Sequence, residues 1–161
     1  MGNRVSALSF KTILPISAVV ASGLTAGFLS AATFMDVPTF KKLIANKDAD
    51  TIKNVFSIWW PYGGKFMIPM TLLNFVAHFG SYAATNEKLW ILSGCFISAN
   101  LPYTGILMKE GIQKLRGVDA ATMDDEEVFT VANSFCNLHQ PRFFFALFAF
   151  GTSVYIITKN A

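Results

Sequence analysis

Charge is scarce in this 161-residue chain: Asp, Glu, Lys and Arg make up 14% of it, and no acid occurs before Asp36. A soluble domain carries about 25% charge. Combined with 53% hydrophobic residues, the shortage argues against a soluble bundle and predicts a membrane protein. Other absences narrow the function classes. There is no glycine-rich phosphate loop, no Cys-x-x-Cys pair and no nucleophile elbow, the marks of nucleotide binding, dithiol exchange and serine hydrolysis. Internal repeats and low-complexity tracts are also missing. The net charge of +3 is small and scattered, so no nucleic-acid partner is expected. Strand alternation is absent, and an open sheet edge is intolerable in lipid. Helices remain.

What is there is a set of long uncharged gaps, from Lys11 to Asp36, Lys65 to Glu87, Lys88 to Lys109 and Arg142 to Lys159. A membrane span needs roughly 17–25 apolar residues at about 1.5 Å each. The gaps predict an all-α, integral membrane four-helix bundle in one domain covering 1–161, with spans at about 12–34, 66–85, 89–108 and 142–158. The last gap is slightly short and reaches full length if its helix begins before Pro141. Between spans 1 and 2, "DADTIKNVFSIWWPYGGK" repeats its apolar residues at helical spacing and ends in aromatics. It is expected to form an interfacial helix. Gly23 and Gly27 stand at small-xxx-small spacing, which permits close helix packing.

Four spans place both termini on one side and the two larger connections, Asp36 to Lys65 and Lys109 to Arg142, on the other. The larger connections hold more basic residues, whereas the short terminal side holds them more densely. The positive-inside rule therefore leaves orientation open. The opening "MGNRVS" fits N-myristoylation at Gly2, with Ser6 at the preferred position. It fits equally an uncleaved signal-anchor or a mitochondrial address, being basic and acid-free. The membrane is expected to be the mitochondrial inner membrane or an endomembrane.

Depth follows from counting along the spans. Asn100 and Tyr103 precede Lys109 by nine and six residues, roughly two helical turns, and His139 and Arg142 lie at the same face of the membrane, three residues apart. Intramembrane polar groups face a bundle interior or a cavity. Asn100, Tyr103, His139 and Arg142 are therefore expected to meet at one mouth, with Thr104 in the same polar turn and Trp59, Trp60 and Tyr62 above. Those aromatics suit an interfacial belt equally well, and Arg142 suits snorkelling to headgroups. His78 lies about 20 Å from His139 in depth, too far for the two to clamp one haem, and is expected to bond a neighbouring carbonyl or Asn74. No metal site is expected. Cys95 and Cys136 sit towards opposite faces, so no disulfide is expected.

Four stretches carry a family resemblance: "GFLSAATFMDVPTF", "WWPYGGKFMIPM", "NLPYTGILMKEGIQKL" and "NLHQPRFFFAL". In order and spacing the chain resembles the small four-span membrane family that includes the fungal anthrone oxygenases. Glu110 and Gly111 stand where that family has Pro and Thr, and Phe135 where many members have Trp. The resemblance implies oxidation of a hydrophobic phenolic anthrone by O₂ without a cofactor. In that chemistry His139 would serve as base, because an imidazole works nearest neutral pH. Arg142 would stabilise the developing anion, Asn100 and Tyr103 would hold oxygens, and Trp59 and Trp60 would stack on the rings, flanked by Tyr62 and Thr104. The alternative is a non-enzymatic accessory or assembly subunit of a larger membrane complex. The aromatic run "FFFALFAF" and the acidic "DDEEVF" would then meet partner subunits. A transporter fits less well, since no repeat is present.

Overall fold

The computed structural model describes residues 10–116 and 123–159; Gly2, with its expected lipid, lies outside them. Among the described residues there is no strand, and nearly all are helical.

The first rod is α1 (Phe10–Ala31), which runs through a π-helical turn (Ala32–Asp36) into α2 (Val37–Ala45). The π-turn has a local cause. Pro38 has no N–H to donate, and its ring would clash with the carbonyl four residues back. The helix widens there, and the Val37 N–H bonds the Ala32 carbonyl instead. A tight turn with Lys47 at φ 57° reverses the chain. Asp48 then caps α3 (Ala49–Thr85) by accepting from the Thr51 N–H at 3.0 Å. Asn86, left-handed at φ 59°, ends that helix.

The third rod is broken. It comprises α4 (Leu89–Ser98), a single helical turn α5 (Asn100–Tyr103), a second π-turn (Thr104–Met108) and α6 (Lys109–Leu115). Pro102 is again the cause, because the Ser98 carbonyl loses its regular donor. The fourth rod, α7 (Asp125–Lys159), runs unbroken through Pro141.

α1 packs against α3 and α7, and α4 packs against the same two, which closes a ring of four rods. Among the described residues, three helices are long and apolar enough to cross a membrane: Phe10–Ala45, Leu89–Leu115 and Asp125–Lys159. α3 is less apolar because Thr71, Asn74, His78 and Ser81 lie along it, all buried. The expected interfacial helix is helical but not separate. It forms the first part of α3, which continues through Pro61, Gly63 and Gly64.

The core changes character along the rods. At one end, the head, α2, α6 and the starts of α3 and α7 bury Phe40, Ile52, Phe56, Leu115, Val128 and Phe135 in one cluster. Most of the charge lies on this end, including Lys114, which pairs with Glu127 at 2.9 Å and Glu110 at 3.4 Å. Along the rest of the bundle small residues, among them Ala18, Ala21, Ala26, Ala146 and Ala149, are interspersed with Leu29, Trp90, Ile97 and Ile156. Gly94 lets α3 and α4 approach closely, since a methyl there would stand 3.0 Å from His78 Cβ. Gly23 faces Phe150 of α7, whereas Gly27 faces open space, so only half of the small-xxx-small pair packs.

Polar side chains tie the rods together internally. Asn74 Nδ2 donates to Thr25 Oγ1 at 3.0 Å and to the Met70 carbonyl at 2.8 Å. His78 Nδ1 donates to the Asn74 carbonyl at 2.8 Å, which leaves Nε2 facing Ser153 Oγ at 3.1 Å. Ser93 Oγ donates to the Ala149 carbonyl at 2.8 Å. His78 thus has both nitrogens occupied and acts as a link between α3 and α7.

Candidate functional site

Where the head meets the small-residue bundle, the four rods leave a cavity of about 250 Å³. Each rod contributes to it. α7 places His139 and Arg142 three residues apart, on the buried stripe that runs from Val128 through Ala132 and Cys136 to Ala146. The broken rod supplies Asn100 and Thr104, one turn apart, with Thr104 Oγ1 donating to the Asn100 carbonyl at 2.7 Å. α3 supplies Trp59, Trp60 and, one turn on, Gly63 and Gly64; α1 supplies Phe28.

The polar groups at this cavity are buried and short of partners. Asn100 is 2% exposed; its Nδ2 donates to the Ile97 carbonyl at 3.1 Å, but its Oδ1 has no partner. His139 is 1% exposed and neither ring nitrogen is hydrogen-bonded. The Leu29 carbonyl lies near the ring without reaching hydrogen-bond geometry. Arg142 is 4% exposed, its Nε is unpartnered, and among the described residues no carboxylate lies within 4.0 Å of it. The guanidinium is turned inward and does not reach the surface. Native interiors leave few buried polar atoms unpaired, and a buried lone charge is costlier still. Here such atoms from three side chains converge on one hollow.

The opposite wall is aromatic and held in place. Trp60 stacks on Phe56 with centroids 6.0 Å apart and planes 2° from parallel. Phe135 meets Trp59, Trp60 and Phe56 edge-on. Trp59 Nε1 donates to Asp36 Oδ2 at 3.0 Å, which fixes its ring against the π-turn of the first rod.

Of the eight side chains expected at the mouth, six line this cavity: Trp59, Trp60, Asn100, Thr104, His139 and Arg142. Two do not. Tyr62 is 69% exposed, on the outer flank of α3. Tyr103 packs edge-on against Phe145 at 5.7 Å. Sequence reasoning missed Phe28, Thr71 and the glycines of the wall, and also Asp36, the anchor of Trp59. Only Asp36 carried a signal, as the sole acid near the end of the first gap. Cys95 and Cys136 are both free thiols. Among the described residues no three His, Cys, Asp or Glu side chains cluster as a metal site would.

Chemically the hollow has one flat apolar wall and one wall offering a guanidinium, an imidazole with a free nitrogen, an amide oxygen and a hydroxyl. An engineered apolar cavity of about 150 Å³ accepts benzene, so this one has room for a larger fused-ring body. Comparison with known protein families, curated proteins and solved structures finds no match to this chain.

Proposed function

We propose that the protein is a four-span membrane protein whose cavity binds a flat, hydrophobic phenolic molecule and oxidises it with O₂. The convergence of Asn100 Oδ1, both His139 ring nitrogens and Arg142 Nε, all buried without a partner, on an aromatic-walled cavity carries this assignment.

The membrane part rests on an inversion of the usual surface. α3 buries Thr71, Asn74, His78 and Ser81 and exposes Ile68, Leu72, Leu73, Phe75 and Val76. In water this helix would be inside out; in hydrocarbon it is favourable. Residues 66–85 then span about 30 Å as the fourth crossing. The change in core composition agrees. Small residues dominate where hydrocarbon outside leaves close packing as the main attraction, and large apolar residues dominate in the head, where water adds the hydrophobic effect.

The oxygenase part rests on the motif resemblance together with the cavity's chemistry. His139 takes a proton from the activated methylene of the substrate; with both ring nitrogens unpartnered, one lone pair is free in either tautomer. Arg142 donates to the oxygen on which negative charge develops, and the free Oδ1 of Asn100 accepts from a phenolic hydroxyl of the substrate. The carbanion passes its electrons to O₂ as a C–O bond forms, and the resulting hydroperoxide loses water to leave a ketone. One oxygen atom ends in the ketone and the other in water.

Oxygen uptake by the purified protein with anthrone tests the assignment. Uptake above the uncatalysed rate is expected, with His139→Ala falling back to that rate. Full wild-type uptake by His139→Ala would remove the base. A high-mass complex of fixed stoichiometry from native membranes, showing no uptake, would favour the accessory-subunit alternative.

A further inference from the structure

The cavity is not sealed on every side. α3 and the broken rod supply most of its lining, with Phe28 of α1 and His139 and Arg142 of α7 completing it, but α3 and α5 touch only sparsely. The gap between them is framed by Gly64 and Ile68 on α3 and by Leu101 and Gly105 on the broken rod, all of which line the cavity. A methyl built on Gly64 or Gly105 meets nothing within 4 Å, and neither residue has a positive φ. Glycine is a poor helix former, and at these positions neither packing nor backbone conformation calls for it. What the missing side chains leave is an aperture. Its surroundings are apolar: Ile68 is 56% exposed, Leu101 40% and Ile106 79%. Lys65 adjoins Gly64, and Lys109 lies four residues, or about 6 Å, beyond Gly105. The aperture therefore opens just below the level of the charged residues, onto acyl chains.

We propose that the cavity fills sideways from the bilayer, through the gap between Gly64–Ile68 and Leu101–Gly105. This rests on the ligand-site assignment above and adds the class and route of ligand: a membrane-partitioned aromatic phenol that slides from the lipid with its ring against Trp59 and Trp60 and its oxygen towards Asn100, His139 and Arg142. Glycine at 64 and 105 sets the width of the passage, and so the bulk of ring system admitted.

The test separates rate from affinity. Protein in phosphatidylcholine nanodiscs is mixed with vesicles preloaded with 2-naphthol, and quenching of tryptophan fluorescence is followed in time. Gly64→Leu and Gly105→Leu are expected to slow both association and release by at least about tenfold. Gly151→Leu, on an open stretch of α7 away from the cavity, should behave as wild type. A post-folding block guards against misfolding: Gly105→Cys in a Cys95→Ser background, capped after reconstitution with N-benzylmaleimide, should slow both phases as the Leu variants do. Unchanged rates in the Leu variants and the capped protein would overturn the lateral route. A weaker Kd with unchanged association would do the same, showing that the added bulk fills the cavity and does not close it. No quenching in wild type would overturn the ligand site itself, and the aperture with it.

Discussion

Arg142→Met separates the cost of the site from its use. The guanidinium is 4% exposed and has neither a hydrogen bond to Nε nor a carboxylate within 4.0 Å among the described residues. Even paired buried charges often lose to well-packed hydrophobes of similar volume, by about 1–4 kcal/mol. Met keeps much of the arginine stem's packing and removes the charge, so the unliganded variant should be more stable by about that amount. At about 2–4 °C per kcal/mol for a chain of this size, Tm in detergent should rise by several degrees. Binding should move the other way. Hydrogen bonds to a charged group contribute about 1.5–3 kcal/mol, which corresponds to a roughly ten- to hundredfold weaker Kd for 2-naphthol. 2-Methoxynaphthalene cannot present an anionic oxygen, and its Kd should hardly change. Thermal unfolding and tryptophan quenching on the same samples measure both arms. A variant that melts lower and binds 2-naphthol as tightly as wild type would refute the reasoning, because the guanidinium would then be structural and already satisfied.

Gly94→Ala places a methyl 3.0 Å from His78 Cβ and 3.1 Å from the Phe79 ring. Overpacking of about 1–3 kcal/mol should outweigh the better helix propensity of Ala, and a lower Tm checks it. Asp36→Ala removes the acceptor of Trp59 Nε1; one hydrogen bond is worth about 0.5–1.5 kcal/mol, so Kd for 2-naphthol should weaken about two- to tenfold. In a Trp59→Phe background the Asp36 effect should vanish, which a double-mutant cycle reads directly. At the far end of the bundle, Lys159 Nζ donates to Glu87 Oε2 at 2.6 Å, and this holds the Glu87 carboxyl below its ordinary value. A carboxylate depressed on folding stabilises above its unfolded pKa and loses that contribution as pH falls through the folded value. Melting followed from neutral pH to below about pH 4 should show a small acid-side loss in wild type that Glu87→Gln lacks.

The helical class was legible because it is local, whereas α3 begins at Ala49 and α7 at Asp125, well before the expected spans at 66 and 142. Uncharged gaps and the short "TNEK" turn record where α1, α4 and α7 run and where α3 reverses into α4. The break in the third rod falls at Pro102, inside what the gap marked as one span. His139 and Arg142 share a face because three residues make nearly one turn of an unbroken helix, and α7 is unbroken. The continuation of α3 through "WWPYGG" was not legible. Pro61, Gly63 and Gly64 read as an interruption, yet Ile52 and Phe56 are packed into the head cluster with residues of α7, so the helix is held on both sides of the proline. Tyr103 stands three residues from Asn100, as Arg142 does from His139, so helical phase does not set it apart; packing does, since its ring lies edge-on against Phe145 of α7.

Composition and spacing thus determined by themselves that the chain is helical, that its rods are long and apolar, and that most of its costly polar groups gather near one end. Hydrogen bonding within helices and the aversion of polar groups to hydrocarbon act residue by residue, and such effects are written in the order of the chain. Only the tertiary structure decided that Asn100, His139 and Arg142 share one hollow with Trp59 and Trp60, that Asp36 holds Trp59 across 23 residues, and that Gly64 and Gly105 line the same hollow. Those outcomes depend on the azimuth of each rod after every π-turn and on how closely neighbouring rods approach. Both are set by packing between segments distant in sequence, which no local pattern records.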